Sequence, residues 1–406
     1  MAVGLTPPQE LPAITGIRIA TASAGIYAQA RPDVALIELG ERAACAAVFT
    51  RNAFAAAPVI VAREHLRQSS VRYCIINAGN ANAGTGVAGM DDARRVCAVV
   101  AEQGKCRSEA VLPFSTGVIG EPLPVSGIEG VVPALHAGLQ EDNWPALSRA
   151  IMTTDTIPKG VSRRVLIDGS PVTVTGVAKG AGMIRPDMAT MLAFIATDAA
   201  VDGKLLDGML REAVAKSFNR ICIDGDMSTN DACVLLATGE AALPPIADGD
   251  SPVRHALQKT VDAVAMTLAQ AIVRDGEGAT KFITVSVEGG ATREECLAVA
   301  YAVATSPLVK TAFYASDPNW GRILAAVGRA GLEGLDITGV SLYLDDVCIA
   351  SGGGRDPGYT EQAGREAMRR DEIRVRIVLG RGEAAETVWT SDLSHEYVRI
   401  NAEYRS

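Results

Sequence analysis

The junction at Thr190, between a glycine-rich and an apolar segment, is the first place in the sequence where chemistry could occur. The residues before it, 179–189, contain two glycines, a proline and two methionines, a composition typical of a loop. The residues after it, Met-Leu-Ala-Phe-Ile at 191–195, predict a strand buried on both faces. Thr190 would then lie at the rim of the core. That position suits a hydroxyl nucleophile, and it equally suits an ordinary β-branched residue.

A threonine gains a base of its own if the peptide bond before it is cut. A buried hydroxyl is a weak nucleophile and needs a base within hydrogen-bond reach. An α-amino group has an ordinary pKa of about 7.7–8.0, so an N-terminal threonine carries a proton acceptor that works near neutral pH. The chain has only 4 histidines, and this chemistry requires none of them.

The stretch from Lys179 to Leu192 resembles the self-cleaving junction of the ornithine acetyltransferase family, also called glutamate N-acetyltransferase. Its residues, Lys-Gly-Ala-Gly-Met-Ile-Arg-Pro-Asp-Met-Ala-Thr-Met-Leu, match the family signature throughout. The resemblance implies that the chain cuts itself between Ala189 and Thr190, giving an α chain of residues 1–189 and a β chain of residues 190–406. The freed Thr190 would then be the catalytic nucleophile.

Thr116 and Gly117, in the stretch Pro-Phe-Ser-Thr-Gly-Val-Ile-Gly at 113–120, form a second candidate site. They lie at the predicted end of a short strand. A backbone N–H there could point into a cleft and stabilise charge on a carbonyl oxygen during acyl transfer. The residues alone favour a plain turn, whereas the resemblance implies that Thr116 and Gly117 form the oxyanion hole.

Two charged residues, Lys179 and Glu277, suggest what the substrate would be. Lysine is most often a solvated surface charge, but the resemblance makes Lys179 a substrate ligand, and its ammonium could hold a carboxylate. Glu277 stands between two glycines, and the resemblance assigns it to the substrate amino group. A site with one charge of each sign predicts an amino-acid substrate.

The remaining substrate contacts are implied by the resemblance alone. One threonine hydroxyl of the Met-Thr-Thr-Asp-Thr segment at 152–156 would contact substrate. We assign that contact to Thr154, and Thr153 and Thr156 remain alternatives. At the C-terminal end, Asn401 and Ser406 would also bind substrate, with Ser406 standing where the family often has threonine.

Three other polar features receive no catalytic role. The loop Asn77–Gly86 lacks the spacing of a phosphate-binding or dinucleotide-binding loop, although the resemblance places it near the active site. The acids between Asn219 and Asp231 lack the ligand order of a calcium loop, and Ser228–Asp231 is interpreted as a structural polar network. Arg51, which follows the strand predicted over 46–50, is interpreted as a surface charge.

The composition narrows the function classes further. A net charge of −9 argues against nucleic acid and anionic membranes as partners. The 8 cysteines form no Cys-x-x-Cys pair, which favours free thiols in a reducing compartment over disulfides or zinc. The sequence has no apolar run of membrane-spanning length and no basic-then-apolar leader at its start, so we expect a soluble, cytoplasmic protein.

The predicted fold class is α/β. The resemblance implies a layered α/β sandwich of the ornithine acetyltransferase and aminopeptidase-like type. Residues 1–281 are predicted to form the catalytic domain, and 282–406 a smaller α/β C-terminal domain that carries the substrate-binding tail. Apolar patterning predicts helices over 202–217 and 253–274 and a strand over 309–314. A further helix is predicted from Met90 to Glu102, capped by Asp91 or Asp92.

The resemblance implies that the protein is an acetyltransferase in arginine biosynthesis. It would move acetyl from N2-acetylornithine to glutamate through an acetyl-threonine intermediate, and some family members also use acetyl-CoA. The resemblance implies no metal or organic cofactor, and an α2β2 assembly of the two fragments. One alternative is an amidase or aminopeptidase-like hydrolase on the same self-processing scaffold. The other is a non-catalytic binding protein with an inactive junction.

Overall fold

A computed structural model describes residues 2–8, 10–185 and 191–403. In chain order its strands are β1 (Ile17–Ala22), β2 (Val34–Leu39), β3 (Ala44–Phe49), β4 (Tyr73–Asn80), β5 (Val111–Val118), β6 (Lys159–Ile167), β7 (Ser170–Lys179), β8 (Leu192–Thr197), β9 (Ile221–Cys222), β10 (Ala232–Ala237), β11 (Phe282–Gly290), β12 (Ser341–Leu344), β13 (Val347–Ser351), β14 (Gly354–Arg355), β15 (Glu372–Val378) and β16 (Ala384–Ser391). Its α-helices are α1 (Ala57–Gln68), α2 (Gly86–Gly104), α3 (Val125–Ala137), α4 (Trp144–Ala150), α5 (Gly203–Lys216), α6 (Pro252–Arg274), α7 (Arg293–Ala304), α8 (Pro307–Tyr314), α9 (Trp320–Gly328), α10 (Glu361–Met368) and α11 (His395–Ala402).

Two sheets stack face to face in the part of the chain before residue 282. One has the order β1-β2-β4-β5 and the other the order β3-β10-β8-β7-β6. Helices α2 and α3 pack on the outer face of the first sheet, and α5 and α6 on the outer face of the second. The layers therefore run helix, sheet, sheet, helix, which confirms the predicted layered α/β sandwich.

The second sheet is centred on β8 and β10, whose residues are all buried. The two strands are parallel neighbours, with Leu192 beside Ala232. Apolar side chains point from both faces, one face packing on the first sheet and the other on α5 and α6. Continuous apolar sequence is what a strand covered on both faces requires, so the strand predicted after Thr190 is confirmed.

The third sheet has the order β14-β13-β12-β15-β11-β16-β9 and its own apolar core. The predicted boundary at residue 282 coincides with the start of β11. However, β9 (Ile221–Cys222) pairs in parallel with β16, so a short piece of the earlier chain extends this sheet. The division into domains 1–281 and 282–406 stays a prediction.

Two local predictions were wrong in ways that have a clear physical cause. Residues 309–314 belong to helix α8, not to a strand, because the Ser306 hydroxyl caps the helix at Val309 N–H and Pro307 begins it. A short apolar run does not by itself distinguish a strand from a buried helix. Helix α2 begins at Gly86, a turn before the aspartates that were expected to cap it.

Among the described residues, no single helix is long and apolar enough to cross a membrane. Within the same described ranges, only α7 and α8 taken together pass such a test, and they are bent by 58° relative to each other. The chain's cysteines, all within the described ranges, are free thiols.

We expect Phe194→Ala to destabilise the fold strongly. Phe194 on β8 is 0% exposed and meets Phe114 of β5 edge to face at 5.2 Å between ring centroids, so this pair joins the two stacked sheets. Truncating a buried phenylalanine costs about 3–5 kcal/mol, which should lower the thermal unfolding midpoint by about 5 °C or more. Phe54→Ala is the matched control because Phe54 is 58% exposed. Equal midpoint shifts in the two variants would contradict this account of the sheet interface.

Candidate active site

A cavity of about 250 Å³ lies where the strand ends of the two stacked sheets meet. It collects residues from β5, from the end of β7, from the turn before β10, from the turn after α6 and from α11. Its lining residues are Ala81, Thr116, Gly117, Val118, Ile119, Thr153, Thr154, Lys179, Gly182, Met183, Ser228, Thr229, Asn230, Glu277 and Asn401.

Six of the predicted site residues line this single cavity. They are Thr116, Gly117, Thr154, Lys179, Glu277 and Asn401. The predicted cleavage residues Ala189 and Thr190, and the predicted ligand Ser406, lie outside the described residues. The catalytic and binding roles of all nine stay predictions.

Gly117 occupies a position that only glycine can fill. Its φ is +135°, and a Cβ added there would lie 2.2 Å from the carbonyl carbon of Gly79. Gly79, opposite it on β4, also has a positive φ of +106°. Two glycines in register let the ends of β4 and β5 approach closely and turn toward the cavity.

Lys179 reaches from one sheet to the other. It is the last residue of β7 and is 3% exposed, and its Nζ donates to Thr116 Oγ1 at 3.1 Å. A hydroxyl that accepts from an ammonium keeps its own proton available for donation elsewhere. Burial lowers the pKa of Lys179, and the nearby Asp155 carboxylate partly opposes that shift. The cavity therefore contains a desolvated ammonium group beside a hydroxyl donor.

A buried ionic cluster of Asp155, Lys159 and Asp275 lies behind the cavity. Lys159 Nζ is 2.6 Å from Asp155 Oδ1 and 2.6 Å from Asp275 Oδ2, and all three side chains are at most 1% exposed. Asp155 also accepts from the Gly180 N–H at 2.7 Å and from the Thr153 N–H at 3.0 Å. The cluster therefore fixes the threonine segment and the start of the loop after Lys179 to one another.

The same cluster determines how Thr156 is used. Asp275 accepts from both the backbone N–H and the hydroxyl of Thr156, and Thr156 does not line the cavity. Thr153 and Thr154 do line it. The structure thus directs Thr156 into the cluster and leaves Thr153 and Thr154 facing the cavity.

The pKa of Asp155 is set by competing effects. Burial alone would raise it, but the charges of Lys159 and Lys179, together with the Gly180 N–H, outweigh burial. They hold the pKa of Asp155 well below its usual value. Asp155 is therefore a carboxylate at any physiological pH.

Glu277 and Asn401 are direct neighbours in the wall of the cavity. Asn401 Nδ2 donates to Glu277 Oε2 at 2.7 Å. A Cβ added at Gly182 would lie 2.5 Å from the Glu277 carboxylate, so this glycine provides the room that the acid occupies. The amide of Asn401 therefore occupies one oxygen of the Glu277 carboxylate.

Helix α11, which carries Asn401, is held beside the cavity by two side-chain hydrogen bonds. The Ser394 hydroxyl donates to the Gly278 carbonyl at 2.6 Å, and the Tyr397 hydroxyl donates to Asp224 Oδ2 at 3.2 Å. Asp224 also accepts from the Met183 and Ile184 N–H groups. The C-terminal helix is thereby tied to the loop that precedes the predicted cleavage site.

Asn230 and Asp231 have a larger part in the site than the sequence analysis assigned to them. Asn230 Nδ2 donates to the carbonyls of Ala81 and Ser115 at 2.7 and 2.9 Å, so it links the β10 turn to the first sheet. Four consecutive polar residues directly before an entirely apolar strand were the available signal, because such residues must find partners when the strand is buried.

Asp231 holds the beginning of β8. It is 1% exposed, and its Oδ1 accepts from the N–H of Met191, the residue after Thr190, at 2.9 Å. Its Oδ2 receives no hydrogen bond within the described part of the chain. Burial raises the pKa of Asp231 well above its usual value, although the Met191 N–H and Lys179 oppose this.

The described residues contain no group of three or more His, Cys, Asp or Glu side chains that could hold a metal ion. What the arrangement offers is hydrogen-bond donors and fixed charges around a small cavity. Such an arrangement of groups suits acyl transfer, in which hydrogen-bond donors stabilise an oxyanion and fixed charges orient the substrate.

The chain is similar to known proteins along its whole length. The family model described as "ArgJ family" matches residues 18–406. The chain is 56% identical over 406 residues to the arginine biosynthesis bifunctional protein ArgJ of Pseudomonas syringae pv. tomato, covering 100% of both chains. It is 58% identical over 393 residues to the protein of the same name from Methylococcus capsulatus, covering 97% of this chain and 96% of that one.

Similarity extends to a solved structure. The crystal structure of arginine biosynthesis bifunctional protein argJ from Bacillus halodurans aligns with a TM-score of 0.50 at 36% identity. The alignment covers 52% of this chain and 98% of that one.

We expect Asp155→Asn to destabilise the protein at neutral pH and to weaken its acid sensitivity. Breaking a buried ion pair costs about 3 kcal/mol or more. Because folding depresses the pKa of Asp155, its contribution is present above its unfolded-state pKa of about 3.9 and is lost as the pH falls through the folded value.

The measurement is the free energy of unfolding at pH 7 and at several values below 4. The gap between the wild type and Asp155→Asn should narrow as the pH falls. The control is Asp250→Asn in an exposed loop, which should leave the profile unchanged. A gap that stays constant down to the lowest pH would show that the Asp155 charge does not stabilise the fold.

Proposed function

Because the chain belongs to the ArgJ family, we propose that it transfers an acetyl group from N2-acetylornithine to glutamate, in arginine biosynthesis. The products are ornithine and N-acetylglutamate. The observation that carries the proposal is the convergence of Thr116, Gly117, Lys179, Glu277 and Asn401 on one cavity. The assay is the formation of N-acetylglutamate from acetylornithine and glutamate by the purified protein.

The first step in this proposal is self-cleavage. The Thr190 hydroxyl oxygen attacks the Ala189 carbonyl carbon, the peptide C–N bond breaks, and the chain is joined through an ester with a free Thr190 amine. Water then hydrolyses the ester and leaves residues 1–189 and 190–406 as separate chains. Asp231 supports this step by fixing the Met191 N–H on the C-terminal side of the junction.

The second step is acetyl transfer to the enzyme. The Thr190 hydroxyl attacks the acetyl carbonyl while its own α-amino group takes the hydroxyl proton. The amide C–N bond breaks, the proton goes to the departing ornithine amine, and an acetyl-threonine ester remains. Glutamate then attacks the ester through its amine and restores the hydroxyl, so the kinetics should be ping-pong.

The cavity residues supply orientation and charge stabilisation in both half-reactions. The Thr116 hydroxyl and the Gly117 N–H donate to the oxyanion of each tetrahedral species. Lys179 holds the substrate carboxylate. Glu277 holds the side-chain ammonium of ornithine, in place of its present donor Asn401. Thr154, with Thr153 beside it in the cavity wall, donates to the bound amino acid. Ser406 is the remaining substrate ligand in this proposal.

We extend the proposal to acetyl-CoA as a second acetyl donor. The full-length relatives are named as bifunctional proteins, and an acetyl thioester would load the same threonine. Transfer to glutamate is favoured over the hydrolase alternative for the same reason. Acetate release from acetylornithine at an equal rate with and without glutamate would instead indicate the hydrolase.

We also propose that the two fragments stay together as an α2β2 assembly that acts in the cytoplasm. Strand β7 of the first fragment and β8 of the second are neighbours in one sheet, which supports lasting association after cleavage. A native mass equal to two copies of the 42.3 kDa chain would support the assembly. A mass of one copy would refute it.

We expect Thr190→Ala to abolish both cleavage and transfer, because alanine has no hydroxyl to attack either carbonyl. Intact-mass analysis of the purified variant should give one species of the full chain, whereas the wild type gives two fragments. Thr190→Ser, which keeps the hydroxyl, should still cleave. Cleavage before residue 190 in the alanine variant would overturn the proposed mechanism.

Glu277→Gln should raise the KM for acetylornithine about tenfold or more while self-cleavage continues. The change removes the carboxylate that would pair with the ornithine ammonium, and a lost charged contact of this kind is worth about 1.5–3 kcal/mol. Cleavage of the variant, seen by mass, shows that it folds. Glu383→Gln, an exposed acid in a surface loop, is the matched control. An unchanged KM in Glu277→Gln would remove Glu277 from the substrate site.

A further inference from the structure

A second large cavity, a groove of about 570 Å³, lies between β3, α1 and α5. We call it the arginine groove, and it shares no lining residue with the candidate active site. Its charged lining residues are Arg51, Arg63, Arg67, Arg211 and Asp207. Its apolar lining residues are Ala47, Val48, Phe49, Leu66, Val214 and Ala215.

The positive charge in the arginine groove is largely uncompensated. The carboxylate of Asp207 is engaged by Arg211 on the next turn of α5, at 2.7 Å. Arg51, Arg63 and Arg67 make no ion pair with any residue in the described ranges. This concentration of cations occurs in a chain whose net charge is −9, so it runs against the overall charge of the molecule.

The pKa of Arg63 is lowered by its burial and by its position beside another cation of the groove. It is half-buried, and its guanidinium lies 5.5 Å from the Phe49 ring centroid. Burial lowers the pKa of Arg63, and the neighbouring charge of Arg67 lowers it further. Like charges held together at a partly desolvated site are unfavourable until an anion joins them.

We propose that the arginine groove binds a small ligand that carries two or more phosphate-type anionic groups and an apolar portion. A planar guanidinium group can donate two parallel hydrogen bonds to the oxygens of one phosphate. The groove's volume falls within the range of about 300–1,000 Å³ that small-molecule sites occupy. The apolar lining gives the uncharged part of such a ligand a surface to pack on.

A single residue, Thr50, connects the arginine groove to the wall of the candidate active site. The Arg63 guanidinium donates to the Thr50 carbonyl. The Thr50 hydroxyl in turn donates to the Ser228 carbonyl at 2.7 Å, and its N–H donates to the Asp231 carbonyl at 3.0 Å. Arg63 therefore has a structural role of its own, and a test by substitution should leave it in place.

The test uses the double variant Arg51→Gln/Arg67→Gln, because both side chains are exposed. Arg365→Gln, which removes an exposed arginine from α10, is the matched control. Pyrophosphate, ADP and CoA are titrated separately into the cleaved, assembled protein by calorimetry at low ionic strength. Thermal midpoints within about 1 °C of the wild type would verify that the variants fold. If the double variant fails to fold, Arg67→Gln alone replaces it.

We expect at least one probe to bind once per chain, about tenfold more weakly in the double variant and unchanged in Arg365→Gln. Tighter binding of ADP or CoA than of pyrophosphate would support a ligand that carries an apolar portion beside its phosphates. Equal binding of all three probes would contradict that part of the proposal. Absence of binding by all three probes, or equal binding by the double variant, would overturn the proposal. Loss of the native oligomer in the double variant without probe binding would instead show that the groove is a subunit contact. None of these outcomes depends on acetyl transfer.

Discussion

The structure of the site depends on a buried positive charge held between two buried carboxylates. Removing Lys159, Asp155 and Asp275 from water is costly, and that cost is offset only when the three groups keep their contact. Asp155 and Asp275 also accept backbone N–H groups of the threonine segment and of Gly180. The cluster thus determines the geometry of three chain segments that are far apart in sequence.

The sheet topology positions the other strand ends that meet at the site. Lys179 ends β7 directly opposite Leu192 at the start of β8, and β10 begins beside β8 because those two strands are parallel. The end of β5 in the other sheet meets them through the bond from Lys179 to Thr116. A chain break before residue 190 would leave every one of these strand pairings intact. That explains how a self-cleaved protein could keep a formed active site.

The sequence predicts the type of reaction better than it predicts the buried contacts that position the site residues. Strands such as β8 were predictable because residues covered on both faces must be continuously apolar. Six of the residues that line the cavity, Thr116 among them, were predicted from the resemblance of their motifs, whereas Asn230 was not. The buried cluster was not, since Lys159 and Asp275 are separated by more than a hundred residues and only the fold brings them together. Arg51 is exposed, as predicted for a surface charge. Its position in a groove with other arginines was not predictable, because only the fold brings β3, α1 and α5 together there.

The central claim is that one threonine, at position 190, carries the acetyl group between donor and acceptor. The most direct measurement is tandem mass spectrometry of the wild-type protein after brief incubation with acetylornithine in the absence of glutamate. The account predicts a single added acetyl group on the side chain of Thr190, in the peptide that begins Thr-Met-Leu-Ala, and its disappearance when glutamate is added. An acetyl group on any other residue, or turnover without a labelled enzyme, would contradict it.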